Sequence, residues 1–127
     1  MHPIAIVAAI LAAVIHVWFF LMESVWFLRE SVWRRFGISS DADARIVRSW
    51  AYNQGFYNLF LAIGVAAGLT LVSAGDQAAG RTIVLFACGS MIAAAVVLVT
   101  HRPQLLRAGL IQGLPALVAV LGVVFLS

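Results

Sequence analysis

The apolar stretch from Ile4 to Leu28 decides how the rest of the chain is interpreted, and it reads IAIVAAILAAVIHVWFFLMESVWFL. It exceeds the roughly 20 residues that an α-helix needs to cross a bilayer. Glu23 is the one formally charged residue within it. Because a carboxylate at that depth costs about 2.5 kcal/mol or more, such residues usually face the interior of a helix bundle. The stretch therefore predicts a transmembrane helix with a site at Glu23.

The composition of the whole chain excludes a soluble globular protein. Of its 127 residues, 64% are hydrophobic and 10% are charged, and a soluble domain of this size cannot bury so much apolar surface. All eight basic residues are arginines. They do not form a basic patch interleaved with aromatic residues, so nucleic acid is not expected as a partner. We predict one integral membrane domain, residues 1–127, whose main partner is the lipid bilayer.

Three further apolar stretches each approach the length of a membrane span, about 20 residues. The second and third loops are short, so the helices that they join are expected to be antiparallel neighbours. The chain therefore predicts an all-α fold, a four-transmembrane-helix bundle with short loops. The predicted helices cover about residues 4–28, 41–72, 83–100 and 104–126.

The positions of the arginines predict the orientation of the bundle. Seven of the eight lie in the first and third loops, and only Arg81 lies in the second. Arginine-rich loops are retained on the cytoplasmic side. Both termini are therefore expected on the opposite side, N-out and C-out.

The second helix is expected to begin outside the membrane, near Asp41. Ser40 precedes Asp43 by three residues, which resembles a capping box in which the Ser side chain bonds the backbone of the first helical turn. Asp41 and Asp43 also suit the positive end of a helix. Arg45 and Arg48 follow, so the pattern predicts an amphipathic cytoplasmic extension before this helix enters the bilayer.

Polar side chains on three helices are predicted to meet at one depth. Counting inward from Trp26, Trp50 and Arg107 at about 1.5 Å per residue puts Asn53, Gln54 and Gln112 in one layer with Glu23, and one of these amides is expected to bond its carboxyl group. The helical phase of Asn53, Gln54 and Tyr57 puts these three on one face, which is expected to turn toward the bundle interior. The candidate ligand-binding residues are Glu23, His16, Asn53, Gln54, Tyr57, Asn58 and Gln112.

Metal and cofactor chemistry is not expected at these positions. His2, His16 and His101 fall at different predicted depths, and His16 with Glu23 lacks the spacing of a helical ligand pair. A nucleophile beside a base is also missing, so a membrane enzyme that uses Glu23 as a base is the least favoured reading.

Two pairs of glycines at GxxxG spacing predict close helix contacts. They are Gly64 with Gly68 and Gly109 with Gly113. Either face is a candidate surface for a homo-oligomer.

Three blocks of sequence resemble the bacterial domain-of-unknown-function 1304 family. They are HVWFFLMESVW from His16 to Trp26, NQGFYNLFLA from Asn53 to Ala62, and QGLPAL from Gln112 to Leu117. The resemblance implies a small four-helix membrane protein in the bacterial plasma (inner) membrane, multi-pass, without implying an activity. Ser24 stands where the family leads us to expect a hydrophobic residue.

Two functions from different classes remain open. In the first, the protein binds or transports a small polar or cationic solute in a cytoplasm-facing intramembrane pocket centred on Glu23. In the second, it is a non-catalytic accessory or scaffold protein whose polar layer only specifies helix packing. Replacing Glu23 by Gln separates them, because only the first predicts a changed response to a ligand.

Overall fold

Helices account for all the regular secondary structure of the computed structural model, which describes residues 1–126. Within that range four helices are long and apolar enough to span a membrane, so the predicted all-α fold with four transmembrane helices is confirmed. Ser127, the last residue of the predicted domain, lies outside the described residues. The helices are α1, Pro3–Phe20; α2, Glu30–Trp33; α3, Asp41–Ser73; α4, Gln77–His101; and α5, Leu106–Phe125.

The first membrane-spanning helix ends earlier than predicted. At its C-terminal end α1 passes into a π-helical turn, Leu21–Val25. The backbone N–H of Trp26 donates to the carbonyl of Leu21 at 2.8 Å, the five-residue hydrogen bond that defines a π-helix. The prediction that this helix continues to Leu28 is wrong. The apolar sequence nevertheless continues to Leu28, because Phe27 is buried in a separate small core.

The first loop is folded around that small core. The short helix α2 leads into a single 3-10 turn, Arg34–Phe36, which ends at Gly37 with a φ of 77°. That left-handed conformation favours glycine. Phe27 and Trp33 are buried against Ala44 and Ala51 of α3. The loop therefore packs on the N-terminal half of α3.

The start of α3 agrees with the prediction. The helix begins at Asp41, and the backbone N–H of Asp43 donates to Ser40 Oγ at 3.1 Å. Its 33 residues exceed one membrane span. Arg45 and Arg48 are exposed in its N-terminal turns, which are not needed to span the membrane. That these turns are cytoplasmic stays a prediction, as does the N-out and C-out orientation.

Contacts within the chain define two compact units, residues 1–15 with 61–126 and residues 16–60. The core of the first unit is built largely from alanine. Ala5, Ala9 and Ala12 of α1 form a stripe that is fully buried, and Val84 and Met91 of α4 belong to the same core. Such small side chains let helices approach closely, and the resulting van der Waals packing contributes to helix association in lipid.

Glycines bring α3, α4 and α5 into close contact within the first unit. A Cβ atom on Gly68 would lie 2.9 Å from the carbonyl oxygen of Gly80, and one on Gly113 would lie 3.0 Å from Ala95 Cβ. A Cβ atom on Gly109 would collide with Val99. Both predicted glycine pairs therefore pack against helices of the same chain. A homo-oligomer through these faces would require those contacts to open.

Candidate functional site

Glu23 is buried in the π-helical turn and bonded to a residue of α3. The residue is 8% exposed, and Glu23 Oε1 accepts a hydrogen bond of 2.8 Å from Asn58 Nδ2. Asn58 is 6% exposed. Both residues belong to the unit formed by residues 16–60. The sequence placed both among the candidate residues, but it predicted a different pairing.

The predicted hydrogen-bond partners of Glu23 are wrong, because its partner is Asn58. Counting from the tryptophans puts Glu23 level with Asn53 and Gln54, whereas its partner, Asn58, lies eight residues after Trp50. The count assumes that Trp26 and Trp50 lie at the same depth. The helical face was also misjudged, because Asn53 and Gln54 are exposed on α3 whereas Asn58 is buried.

A close contact between the π-helical turn and α3 sets the actual register. Ser24 Oγ donates a hydrogen bond of 2.7 Å to the backbone carbonyl of Tyr52. A Cβ atom on Gly55 would collide with Ser24 Oγ and would lie 3.0 Å from Ser24 Cβ. In the sequence, Ser24 stands out only as a departure from the family pattern. The pattern that could have predicted this contact is a small polar residue next to Glu23 together with a glycine inside the polar block of α3.

Three of the predicted site residues are exposed. Asn53, Gln54 and Tyr57 all lie on the exposed side of α3, and Tyr57 is 59% exposed. The expectation that this face turns toward the bundle interior is therefore wrong. The buried side of α3 in this unit instead carries Ala51, Gly55 and Asn58, which recur at the helical spacing of four and three residues.

The remaining candidates lie in different units. His16 is fully buried in the same unit as Glu23, and its ring meets Phe19 edge to face at 5.4 Å between centroids. Its role as a ligand-binding residue stays a prediction. Gln112 belongs to α5 in the other unit and is partly buried.

The chemistry available at Glu23 is that of a carboxyl group with one amide partner. Within residues 1–126 its side chain makes the hydrogen bond to Asn58 and no ion pair, since the ion pairs there are Arg34 with Glu30 and Arg45 with Asp41. No group of three or more His, Cys, Asp or Glu residues in that range could hold a metal ion. The carboxyl group can therefore accept a proton, or a cation that brings its own hydrogen-bond donors.

Two apolar grooves lie in the first unit. One, of about 560 Å³, runs between α1 and α5 and is lined by residues that include Ile4, Leu11 and Pro115. The other, of about 270 Å³, lies between α4 and α5. Neither is lined by any of the seven candidate residues, and their apolar walls suit lipid acyl chains.

The comparisons with known proteins bear on the family. No curated protein and no solved structure matches the chain. A family model does match, over residues 10–124, a range that includes Glu23, Asn58 and the other five candidate residues. The chain therefore belongs to the family described as proteins of unknown function, DUF1304.

Proposed function

We propose that this membrane protein binds a small cationic or polar solute at the pair formed by Glu23 and Asn58. The observation that carries the proposal is a buried carboxyl group, on a helix apolar enough to span a membrane, whose hydrogen bond is to one neutral amide. Ionisable residues inside membrane-spanning segments mark ion and substrate pathways in many proteins, because they are too costly to keep without a role.

The chemistry of the pair favours a solute that donates hydrogen bonds. Asn58 gives one N–H to Glu23 Oε1, which leaves Glu23 Oε2 and Asn58 Oδ1 as acceptors close together. An ammonium or guanidinium group supplies both a positive charge and several N–H donors. Charge-assisted hydrogen bonds of this kind are about twice as strong as neutral ones. An anion would be repelled by the Glu23 carboxylate.

Transport is the stronger form of the same proposal. In a carrier, the solute must reach the binding site from each side of the bilayer in turn. Polar residues beside the site would line the path that the solute takes. Asn53, Gln54 and Tyr57, which are exposed on α3, are kept only as further candidates, together with His16 and Gln112. Uptake of the same cation into sealed proteoliposomes separates transport from binding.

A second function, helix packing alone, is favoured by one feature of the pair. The hydrogen bond joins the end of α1 to α3, and such bonds hold helices together in lipid. A protonated carboxyl and a carboxamide can exchange two hydrogen bonds, which would satisfy both groups without a ligand. In this scaffold reading Glu23→Gln reproduces the pair and changes no binding property.

The deciding experiment measures equilibrium binding of radiolabelled methylammonium and guanidinium to the purified protein in lipid nanodiscs. We expect saturable binding to the wild type, loss of binding in Glu23→Gln, and weaker binding in Asn58→Ala. Glu30→Gln is the matched control, because Glu30 is exposed and bonded to Arg34 at the surface. Equal binding by Glu23→Gln and wild type, or no saturable binding of either cation, would overturn the proposal.

A further inference from the structure

We infer that Ser24 and Gly55 are positioning residues that hold the Glu23 carboxyl group against Asn58, and that the π-helical turn makes this possible. The inference deepens the proposed function and rests on it for its biological meaning. Its geometry lies wholly within residues 16–60. It follows from three contacts between the turn and α3.

The shape of the turn at Leu21–Val25 lets two consecutive side chains contact α3. In an α-helix consecutive side chains diverge by about 100°, since there are about 3.6 residues in each turn. The wider π-helical turn holds an extra residue in its hydrogen-bonded ring, which reduces that angle. Consecutive residues Glu23 and Ser24 can therefore both contact α3, and both do. Single π-helical turns of this kind are frequent at functional sites.

A 2.7 Å hydrogen bond from Ser24 Oγ to the carbonyl oxygen of Tyr52 joins the turn to α3. Its acceptor is a backbone atom, so the bond ties the turn to the α3 main chain whatever side chain occupies position 52. A sliding of α3 by one residue would break it. Because every residue of α3 has such a carbonyl, the bond holds the turn close to α3, and the register between the two segments depends also on Gly55.

The absence of a side chain at Gly55 allows the turn and α3 to come this close. The backbone of α3 approaches Ser24 so closely that a Cβ atom would lie 3.1 Å from the Ser24 backbone nitrogen, in addition to its collision with Oγ. Any larger residue would push the turn away from α3. The close approach brings the short amide of Asn58 within hydrogen-bonding distance of Glu23.

These contacts follow one row of side-chain positions on α3. Tyr52, Gly55 and Asn58 recur every three residues, so they are neighbours along the helix surface. Ser24 contacts the first two members of the row, and Glu23 contacts the third. A change at Ser24 or Gly55 therefore shifts the distance between Glu23 and Asn58 without touching either residue.

The test measures that distance directly by solid-state NMR. The chain contains two Glu, at positions 23 and 30, and two Asn, at positions 53 and 58. Labelling Glu with ¹³C at the carboxyl carbon and Asn with ¹⁵N at the side-chain amide leaves few pairs to distinguish. We expect a dipolar coupling between the two labels in the wild type, and its loss in Asn58→Ala assigns it to the pair.

Two variants then test the positioning residues against matched controls. We expect Ser24→Ala and Gly55→Ala each to weaken or abolish the coupling while helix content by circular dichroism stays at the wild-type level. The controls are Ser31→Ala, at an exposed serine, and Gly89→Ala, where a Cβ atom meets nothing within 4 Å. Both should retain the coupling.

Wild-type coupling in Ser24→Ala or in Gly55→Ala would overturn the role of the residue that was changed. Should Gly55→Ala fail to fold, Ser24→Ala, which only removes atoms, still decides the inference. The measurement contains no solute, so failure of the cation-binding experiment leaves its result unchanged. A variant that loses the coupling is then expected to lose cation affinity as Glu23→Gln does.

Discussion

Asn58 Nδ2 donates a 2.8 Å hydrogen bond to Glu23 Oε1, and both side chains are buried. The bond joins the end of the first membrane-spanning helix to α3. It gives the buried carboxyl group one partner and leaves acceptors beside it for a further donor. The stability of the protein and its binding properties should therefore respond differently to changes at these two residues.

Removing the amide should destabilise the protein more than removing an exposed one. Asn58→Ala leaves the buried Glu23 carboxyl group without its donor, and we expect a loss of about 1–3 kcal/mol in the free energy of unfolding. Asn53→Ala is the matched control, since Asn53 is exposed, and a change within about 0.5 kcal/mol is expected there. Denaturant titration in mixed micelles, followed by circular dichroism, measures both. Equal losses in the two variants would contradict the assignment of Asn58 as the partner.

The close contact of α3 with α4 should depend on Gly68. In Gly68→Ala the added methyl group would lie 2.9 Å from the Gly80 carbonyl oxygen and 3.1 Å from the Val84 nitrogen, both backbone atoms that cannot rotate away. Overpacking of this kind costs about 1–3 kcal/mol. Thermal unfolding in detergent should show a lower midpoint for this variant. Gly89→Ala, with open space around it, should be neutral or more stable than the wild type.

The same variant also tests the predicted homo-oligomer. Gly64 and Gly68 face α4 of the same chain, so Gly68→Ala should lower stability without changing the mass of the particle measured by light scattering in detergent. A wild-type dimer that dissociates in Gly68→Ala, with an unchanged unfolding midpoint, would show that this face binds a second copy instead.

The helix cap at Ser40 offers a local prediction. Ser40→Ala removes the acceptor for the Asp43 backbone N–H and should cost about 0.5–2 kcal/mol. Ser39→Ala is the control, because Ser39 is exposed and lies just outside the cap. Hydrogen exchange of the amides at the start of α3 should be faster in Ser40→Ala only. Unchanged exchange in that variant would show that the cap does not stabilise α3.

The orientation of the protein can be tested with reporters. Seven of the eight arginines lie in the first and third loops, so both termini are expected outside the cytoplasm. A C-terminal reporter that is active only in the cytoplasm should be silent, and the same reporter inserted after Ser39 should be active. The reverse result would show that the arginine count does not set the orientation.

Local patterns were sufficient to predict most of the fold. Four apolar stretches of membrane-spanning length became four helices, because an apolar backbone segment in lipid has to satisfy its own hydrogen bonds. Ser40 and Asp43 predicted the start of α3, because a cap depends on residues only three positions apart. The end of the first helix was missed, since Phe27 is as apolar as a membrane-facing residue but packs in the small core of the first loop.

The candidate site shows where the sequence by itself was insufficient. It determined that Glu23 and a set of amides belong to membrane-spanning helices, because that depends only on the composition of each segment. Which amide meets Glu23 was decided by tertiary structure. The contact of Ser24 with Tyr52 and Gly55 sets the register of two segments far apart in the chain. Asn58 rather than Asn53 is buried because the small residues Ala51 and Gly55, and not the polar stripe, mark the face of α3 that other backbone can approach.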